Sequence, residues 1–124
     1  MPDVVWICPS SALHDGKMGV LRDAVDAGGH ASVFFVRYGG TVYGYLNRCA
    51  HMPMELDWNP GQFFDSSGLY LICATHGALY APHTGRCEGG PCVGARLRAL
   101  HVEERDTPAG RAVFWLPDAQ LRPA

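Results

Sequence analysis

Two short motifs near the middle of the chain constrain its fold more than any other feature. Cys49 and His51 form a C-x-H motif, and Cys73 and His76 form a C-x-x-H motif. The 21 residues 52–72 separate the two motifs. Each motif places a thiol beside an imidazole, and both groups are ligands that transition metals accept readily. Because four ligands must meet at one centre, we expect a fold that brings two distant turns together.

Two kinds of metal centre use two cysteines and two histidines. In one kind of [2Fe–2S] cluster, two thiolates hold one iron and two histidines hold the other. A tetrahedral structural zinc site accepts the same four ligands. The C-x-H spacing is tighter than in the usual zinc hook, and no helix is predicted to carry the second pair of ligands. The ligand pattern therefore favours the iron–sulfur cluster over zinc, and the flanking residues bear on the same choice.

The apolar runs of the chain predict an all-β fold. They are short, rich in β-branched and aromatic residues, and separated by Gly, Pro and Asn, which is typical of an antiparallel β sandwich or barrel. Gly39-Gly40, between two of the runs, predicts a tight hairpin turn. The predicted strands are Val4–Cys8, Ser32–Tyr38, Thr41–Leu46, Leu69–Cys73, Ala78–Ala81, Ala99–Glu103 and Ala112–Leu116.

Three other segments have weaker patterns. Lys17–Ala27 fits either a helix or an irregular strand, and we favour the strand because the rest of the chain is β. Asp57–Gly68 is dense in turn-forming residues and is predicted to be a long loop, with Trp58, Phe63 and Phe64 pinning it to the core. The tail, residues 117–124, is predicted to fray. With 124 residues, the chain is expected to form a single domain, 1–124.

The residues that follow the two motifs complete a recognisable pattern. Gly77 follows His76 directly, Tyr80 comes four residues after that histidine, and Gly90-Pro91 lies further along the chain. Together with the two motifs, this order resembles the Rieske [2Fe–2S] family. The resemblance covers roughly residues 31–116. It implies a compact antiparallel β domain with a small cluster-binding subdomain at about residues 48–92.

The resemblance also implies how a [2Fe–2S] cluster is bound. Cys49 and Cys73 would hold the inner iron, and His51 and His76 would hold the outer iron, which is nearer to solvent. Backbone N–H groups of the two ligand loops would donate hydrogen bonds to the sulfurs.

Residues next to the predicted ligands indicate a low reduction potential. Tyr80 matches a family tyrosine that donates a hydrogen bond to a ligand sulfur, and the loop that contains Pro91 would cover one side of the cluster. High-potential members place a serine where this chain has Ala78, and they carry a disulfide between the ligand loops for which this chain lacks the cysteines. The chain is thus similar to soluble Rieske ferredoxins.

Composition excludes several other functions and partners. The net charge of −2 and the scattered basic residues argue against nucleic acid as a partner. No apolar run reaches the roughly 18 residues of a membrane span, and no signal peptide is evident. The odd number of cysteines, five, predicts a cytoplasmic protein without a disulfide framework. Cys87 and Cys92, which flank the Gly-Gly-Pro segment, are therefore expected to be ordinary core or loop residues.

The ligand motifs and the resemblance to Rieske ferredoxins together predict an electron carrier and not an enzyme. The protein would take one electron from a reductase and pass it to a terminal oxidoreductase, such as an aromatic-ring oxygenase, as a monomer or a weak homo-oligomer. Two alternatives remain open. One is an accessory subunit of a larger oxidoreductase, similar to the small subunit of nitrite reductases. The other is a redox or iron sensor whose cluster state controls binding to a partner.

Overall fold

The computed structural model describes residues 4–50, 54–57, 59–74, 77–90, 92 and 94–124. These residues form ten β-strands and one 3₁₀ turn, Ser10–Ala12. None of the helical structure in this part of the chain is long and apolar enough to cross a membrane. The strands are β1 (Val5–Pro9), β2 (Val20–Asp26), β3 (Gly29–Tyr38), β4 (Thr41–Leu46), β5 (Leu71–Ile72), β6 (Leu79–Tyr80), β7 (Cys87–Gly89), β8 (His101–Thr107), β9 (Gly110–Leu116) and β10 (Leu121–Pro123).

The described strands pair into three antiparallel sheets, which confirms the predicted all-β fold. The first sheet has the order β1-β9-β8, the second β10-β2-β3-β4, and the third β5-β6-β7. The second sheet approaches the first where the backbone of Leu46 donates to the carbonyl of Arg98 at 3.0 Å and that of Leu100 to the carbonyl of Gly44 at 2.9 Å. The third, small sheet carries the second ligand motif.

The hairpin between β3 and β4 forms as predicted and leads into the first ligand motif. Tyr38 pairs with Thr41, so the connection is the two residues Gly39 and Gly40. Both have positive φ, 59° and 83°, which only glycine adopts readily and which a tight two-residue hairpin turn requires. The turn fixes the register of β4 and hence the position at which Cys49 leaves the sheet.

Two segments with ambiguous sequence patterns are strands. The segment Lys17–Ala27 contains β2, so the prediction of a strand there is confirmed. The prediction that the tail frays is wrong, because Leu121 pairs with Asp26 at the start of β10 and is buried. Burial of the apolar side chain of Leu121 in this position offsets the cost of ordering the tail.

Two apolar cores lie on opposite faces of β3. Val33 and Phe35 belong to the core that β1, β9 and β10 help to enclose. Phe34 and Val36 point the other way, into the core around the small sheet. This alternation is the two-residue period of a strand that is covered on both faces. Because the second core contains Cys49 and Cys73, both ligand motifs rest on one apolar interior.

Of the three aromatic residues predicted to attach the long loop 57–68 to the core, Phe63 and Phe64 pack there, and Trp58 lies outside the described residues. Phe63 is fully buried and stacks on Phe34 with ring centroids 3.9 Å apart. Phe64 forms a β-bridge with Leu71 at the start of β5. The backbone N–H of Gly19 also donates to the carbonyl of Gly61 at 2.8 Å. The loop therefore supports the strand that leads to Cys73.

Candidate metal centre

The two predicted cysteine ligands lie just beyond the ends of two strands. Cys49 follows β4, and Cys73 follows β5 directly. Cys49 is 3% exposed and Cys73 is fully buried, and both belong to the core around the small sheet. Two sulfurs from separate parts of the chain thus share one apolar environment, which suits soft thiolate ligands shielded from water.

The first ligand loop, residues 49–54, is closed at its base by the backbone. The N–H of Cys49 donates to the carbonyl of Met54 at 2.6 Å. Two residues before Cys49, the side chain of Asn47 accepts a hydrogen bond from the N–H of Leu56 at 2.9 Å. The two arms of the loop are therefore fixed to each other at Cys49 and again at Asn47, two residues earlier.

The second ligand loop, residues 73–78, is closed by backbone hydrogen bonds among its described residues. The N–H of Cys73 donates to the carbonyl of Ala78 at 2.9 Å, and the N–H of Gly77 donates back to the carbonyl of Cys73 at 2.8 Å. Gly77 has a φ of 72°, a backbone conformation that is unfavourable for residues other than glycine. The N–H of Ala74 donates to the carbonyl of Leu56 at 3.0 Å, so the second loop is bonded to the base of the first.

Tyr80 contacts the sulfur of the first ligand loop. Its hydroxyl lies 3.2 Å from the Sγ of Cys49 and accepts a hydrogen bond from the N–H of Ala50 at 2.9 Å. A thiolate has no proton to donate, so towards a metal-bound Cys49 the tyrosine hydroxyl must be the donor. Burial, and then the contact with Cys49, raise the pKa of Tyr80 well above its usual range, so the hydroxyl keeps its proton at neutral pH.

A third loop, residues 87–92, lies beside the second ligand loop. A Cβ atom on Gly90 would come within 3.0 Å of the Cα of Ala78 and 3.2 Å of the carbonyl oxygen of Gly77. Only glycine therefore allows this approach of the two backbones. The predicted covering role belongs to Pro91 in the same loop, and Pro91 lies outside the described residues.

The third loop also carries a disulfide between Cys87 and Cys92. The expectation that these two residues are ordinary core or loop cysteines is therefore wrong. Their Cα atoms are 5.8 Å apart, a separation that suits a disulfide. The disulfide differs from the one that high-potential Rieske proteins carry between their ligand loops, since both of its cysteines belong to the third loop.

The structure brings together three of the six predicted site residues, namely Cys49, Cys73 and Tyr80. His51 and His76 lie outside the described residues, as does Pro91. Within the described part of the chain, no three His, Cys, Asp or Glu side chains form a group able to hold a metal ion. The assignment of the two histidines as ligands accordingly stays a prediction from the sequence.

Sequence comparison decides the family. A profile of the Rieske [2Fe-2S] domain matches residues 3–106, most of the chain. The chain belongs to the Rieske [2Fe–2S] family. Its cofactor is therefore the [2Fe–2S] cluster, and the zinc alternative is excluded. A search among curated proteins gave no match to this sequence.

Solved structures share the fold of this Rieske domain. The ferredoxin of carbazole 1,9a-dioxygenase from Nocardioides aromaticivorans IC177 superimposes with a TM-score of 0.65 at 23% identity, covering 93% of this chain and 98% of that one. A complex of reduced oxygenase and oxidized ferredoxin in carbazole 1,9a-dioxygenase contains a chain with a TM-score of 0.64 at 23% identity, with 91% and 92% covered. The terminal oxygenase from the same Nocardioides strain gives 0.64 at 21% identity, over 96% of this chain and 31% of the oxygenase.

The described residues fit the Rieske cluster. Two buried thiols, presented from two loops that a backbone hydrogen bond joins, supply the soft ligands that one iron of such a cluster requires. A tyrosine hydroxyl faces one of these sulfurs, and glycine at position 90 allows the third loop to approach closely. The surroundings are apolar, with Ala78 fully buried in the same core.

Sequence reasoning missed two features of this centre. The first is Asn47, which braces the first ligand loop, and the second is the Cys87–Cys92 disulfide. The sequence does place an amide two residues before a ligand and two cysteines five positions apart. Neither pattern is specific, because asparagine is more often a surface or turn residue and paired cysteines need an oxidising environment.

Proposed function

We propose that this protein is a one-electron carrier of the Rieske ferredoxin type. When bound, the [2Fe–2S] cluster accepts and releases one electron. In this proposal Cys49 and Cys73 are the thiolate ligands, and His51 and His76 are the imidazole ligands. The protein itself provides the apolar enclosure and the hydrogen bonds that decide how readily the electron is taken up.

The contact between Tyr80 and Cys49 is the observation that carries this proposal. The hydroxyl is held in place by the N–H of Ala50 and faces the ligand sulfur at 3.2 Å. Such a donor stabilises additional negative charge on the sulfur, and reduction adds that charge. A metal centre with a purely structural role has no need of a donor that favours one redox state.

The proposed partners are other redox proteins. The similar structures include a complex of an oxygenase with a ferredoxin, which are components of carbazole 1,9a-dioxygenase. By analogy, this protein would receive its electron from a reductase and deliver it to a terminal oxygenase. The loop containing Pro91 would cover the cluster on one side.

A low potential and a cytoplasmic location complete the proposal. High-potential Rieske proteins have a serine at the position of Ala78, whose side chain has no hydroxyl to donate. Of positions 78 and 80, only Tyr80 therefore offers a hydroxyl donor. Cytoplasmic location remains a prediction, and the Cys87–Cys92 disulfide is the feature that bears against it, since the cytoplasm keeps most thiols reduced. Fractionation of cells that produce the full chain tests the location directly.

The test of the function is a redox titration of the purified protein, followed by absorption and EPR spectroscopy. We expect two irons and two sulfides per chain and a reversible titration with one electron. Cys49→Ser should lose the cluster or greatly reduce its content. Cys8→Ser is the matched control, since Cys8 is a buried cysteine of the other core and its variant should retain the cluster.

Two outcomes would contradict the carrier assignment. One is a cluster that is present in full but cannot be reduced and reoxidised reversibly. The other is isolation of the protein only in a stable stoichiometric complex with a larger oxidoreductase, which would support the accessory-subunit alternative instead. Equal cluster content in the Cys49→Ser and Cys8→Ser variants would contradict the ligand assignment.

A further inference from the structure

Among the Asn, Gln, Ser, Thr, His and charged residues in the described part of the chain, Asn47 is the one that is buried. Its exposed fraction is 4%. A buried amide must find hydrogen-bond partners, since leaving its donor or acceptor unsatisfied is costly. Asn47 lies on the approach to the first ligand loop, two residues before Cys49, and its backbone N–H is bonded to the carbonyl of Ser32 at 2.9 Å.

Both ends of the Asn47 amide are bonded to the return arm of the first ligand loop. Its Oδ1 accepts from the N–H of Leu56, and its Nδ2 donates to the Oδ1 of Asp57, both at 2.9 Å. Because Leu56 offers a donor and Asp57 an acceptor, these partners fix the orientation of the amide. Asp57 in turn accepts from the N–H of Gly61 at 3.0 Å, which connects the same network to the long loop.

Leu56 connects this network to the other thiolate. Its carbonyl accepts from the N–H of Ala74, the residue that follows Cys73. Leu56 is fully buried, so a displaced Leu56 would pull its backbone and side chain out of a packed position. One continuous path thus runs from Asn47, through Leu56, to the backbone next to Cys73.

We propose that Asn47 is a positioning residue that sets the separation and orientation of Cys49 and Cys73 by holding Leu56 between the two ligand loops. The proposal rests on the proposed assignment of Cys49 and Cys73 as ligands. In this arrangement Asn47 acts through the backbone of Leu56 and Ala74. Outer-shell residues that orient metal ligands typically change metal retention by about 10- to 100-fold when they are removed.

A reciprocal exchange of Asn47 and Asp57 gives the sharpest test. N47D keeps an acceptor for the N–H of Leu56 but places two carboxylates against each other. D57N places two amides against each other. The double variant N47D/D57N restores one amide and one carboxylate, with an acceptor available for Leu56 and another for Gly61. Only the direction of the bond between the two side chains is reversed.

The measurements are the rate at which a chelator removes iron from the oxidised protein, the EPR spectrum of the reduced protein, and the unfolding free energy. We expect N47D and D57N each to lose iron about 10-fold faster or more and to show altered EPR g values. The double variant should return to within about 3-fold of the wild-type rate and regain the wild-type spectrum. Non-additivity of this kind is the signature of a direct interaction.

Tyr45→Phe is the matched control for a general loss of stability. Tyr45 is buried in the same core, but its hydroxyl donates to the carbonyl of Pro82 at 2.7 Å, outside the two ligand loops. This variant should lower the unfolding free energy while leaving iron loss and the EPR spectrum unchanged. N47A, which removes both bonds, should combine the loss of stability with faster iron loss.

Several results would overturn the proposal. If the N47D and D57N variants keep the wild-type iron-loss rate and spectrum and differ only in stability, Asn47 has a structural role alone. If the double variant behaves no better than the two single variants, the bond between the two side chains is not what positions the loops. Absence of a two-iron cluster from the wild-type protein would instead refute the proposed ligand set, and the wild-type iron and sulfide content is therefore measured first.

Discussion

Replacing Tyr80 with phenylalanine should lower the reduction potential of the cluster by removing one hydrogen bond to the Cys49 sulfur. The change deletes a single hydroxyl whose oxygen lies 3.2 Å from that sulfur and keeps the buried ring. A net hydrogen bond contributes about 0.5–1.5 kcal/mol between neutral groups and about 1.5–3 kcal/mol to a charged group. The reduced state, which carries one more negative charge, should therefore lose about 1–1.5 kcal/mol more than the oxidised state.

That difference converts directly into a potential. For a one-electron couple, a tenfold change in equilibrium constant corresponds to 59 mV and to about 1.4 kcal/mol. Tyr80→Phe is therefore expected to shift the potential downward by about 40–65 mV. The variant also leaves the N–H of Ala50 without its acceptor, which should lower the unfolding free energy by about 1 kcal/mol in both redox states and so cancel from the potential.

Voltammetry of the wild-type, Tyr80→Phe and Tyr45→Phe proteins measures the two effects separately. Tyr45→Phe removes a hydroxyl that is buried in the same core and bonded to Pro82, so it should reduce stability without moving the potential by more than about 10 mV. An unchanged potential in Tyr80→Phe, or an equal shift in both variants, would refute the claim that the Tyr80 hydroxyl stabilises the reduced cluster specifically.

Three further predictions concern the potential, the disulfide and acid stability. Ala78→Ser should raise the potential by supplying a second hydroxyl donor, and a fall measured by voltammetry would contradict this. Reduction of the Cys87–Cys92 disulfide by a dithiol should lower the unfolding free energy by about 2 kcal/mol in denaturant titrations, whereas the double variant C87S/C92S should not respond to the dithiol. The hydrogen bond from Arg37 lowers the pKa of Glu104, so the stabilisation is present above about pH 4.3 and is lost as the pH falls through the lower folded-state pKa. Glu104→Gln should accordingly flatten the acid limb of stability against pH, and an unchanged acid limb would count against this contribution.

Local sequence signals were enough to predict much of the fold. The turn Gly39-Gly40 and strand β4 follow from residues that are neighbours in the chain, and the strand has the predicted bounds Thr41–Leu46. Strands β7 and β10 were not predicted, because Cys87–Gly89 and Leu121–Pro123 have no strand pattern of their own. They form because neighbouring strands offer them backbone partners, and that information is not local.

The candidate site, like the fold, was only partly predictable from local sequence. The spacing of cysteines and histidines predicts a cluster, and the resemblance to the Rieske family implies that Tyr80 is a hydrogen-bond donor; Tyr80 does contact Cys49. The role of Asn47 depends on Leu56, nine residues later, and on the bond from Leu56 to Ala74. A sequence does not show which amide is buried between two loops, so residues that support ligands are harder to predict than the ligands themselves.

The disulfide has a consequence for the order in which the protein matures. Cys49, Cys73, Cys87 and Cys92 all belong to one core, so oxidation of the chain before cluster assembly would compete for the two predicted ligand cysteines. Cys87–Cys92 is the only pairing of these four that spares both ligands. Its two cysteines are five positions apart, closer in the chain than any other two of these four. It therefore closes the smallest disulfide loop, which costs the least chain entropy to form. The short spacing thus favours this pairing over any that would use Cys49 or Cys73, the two predicted ligands.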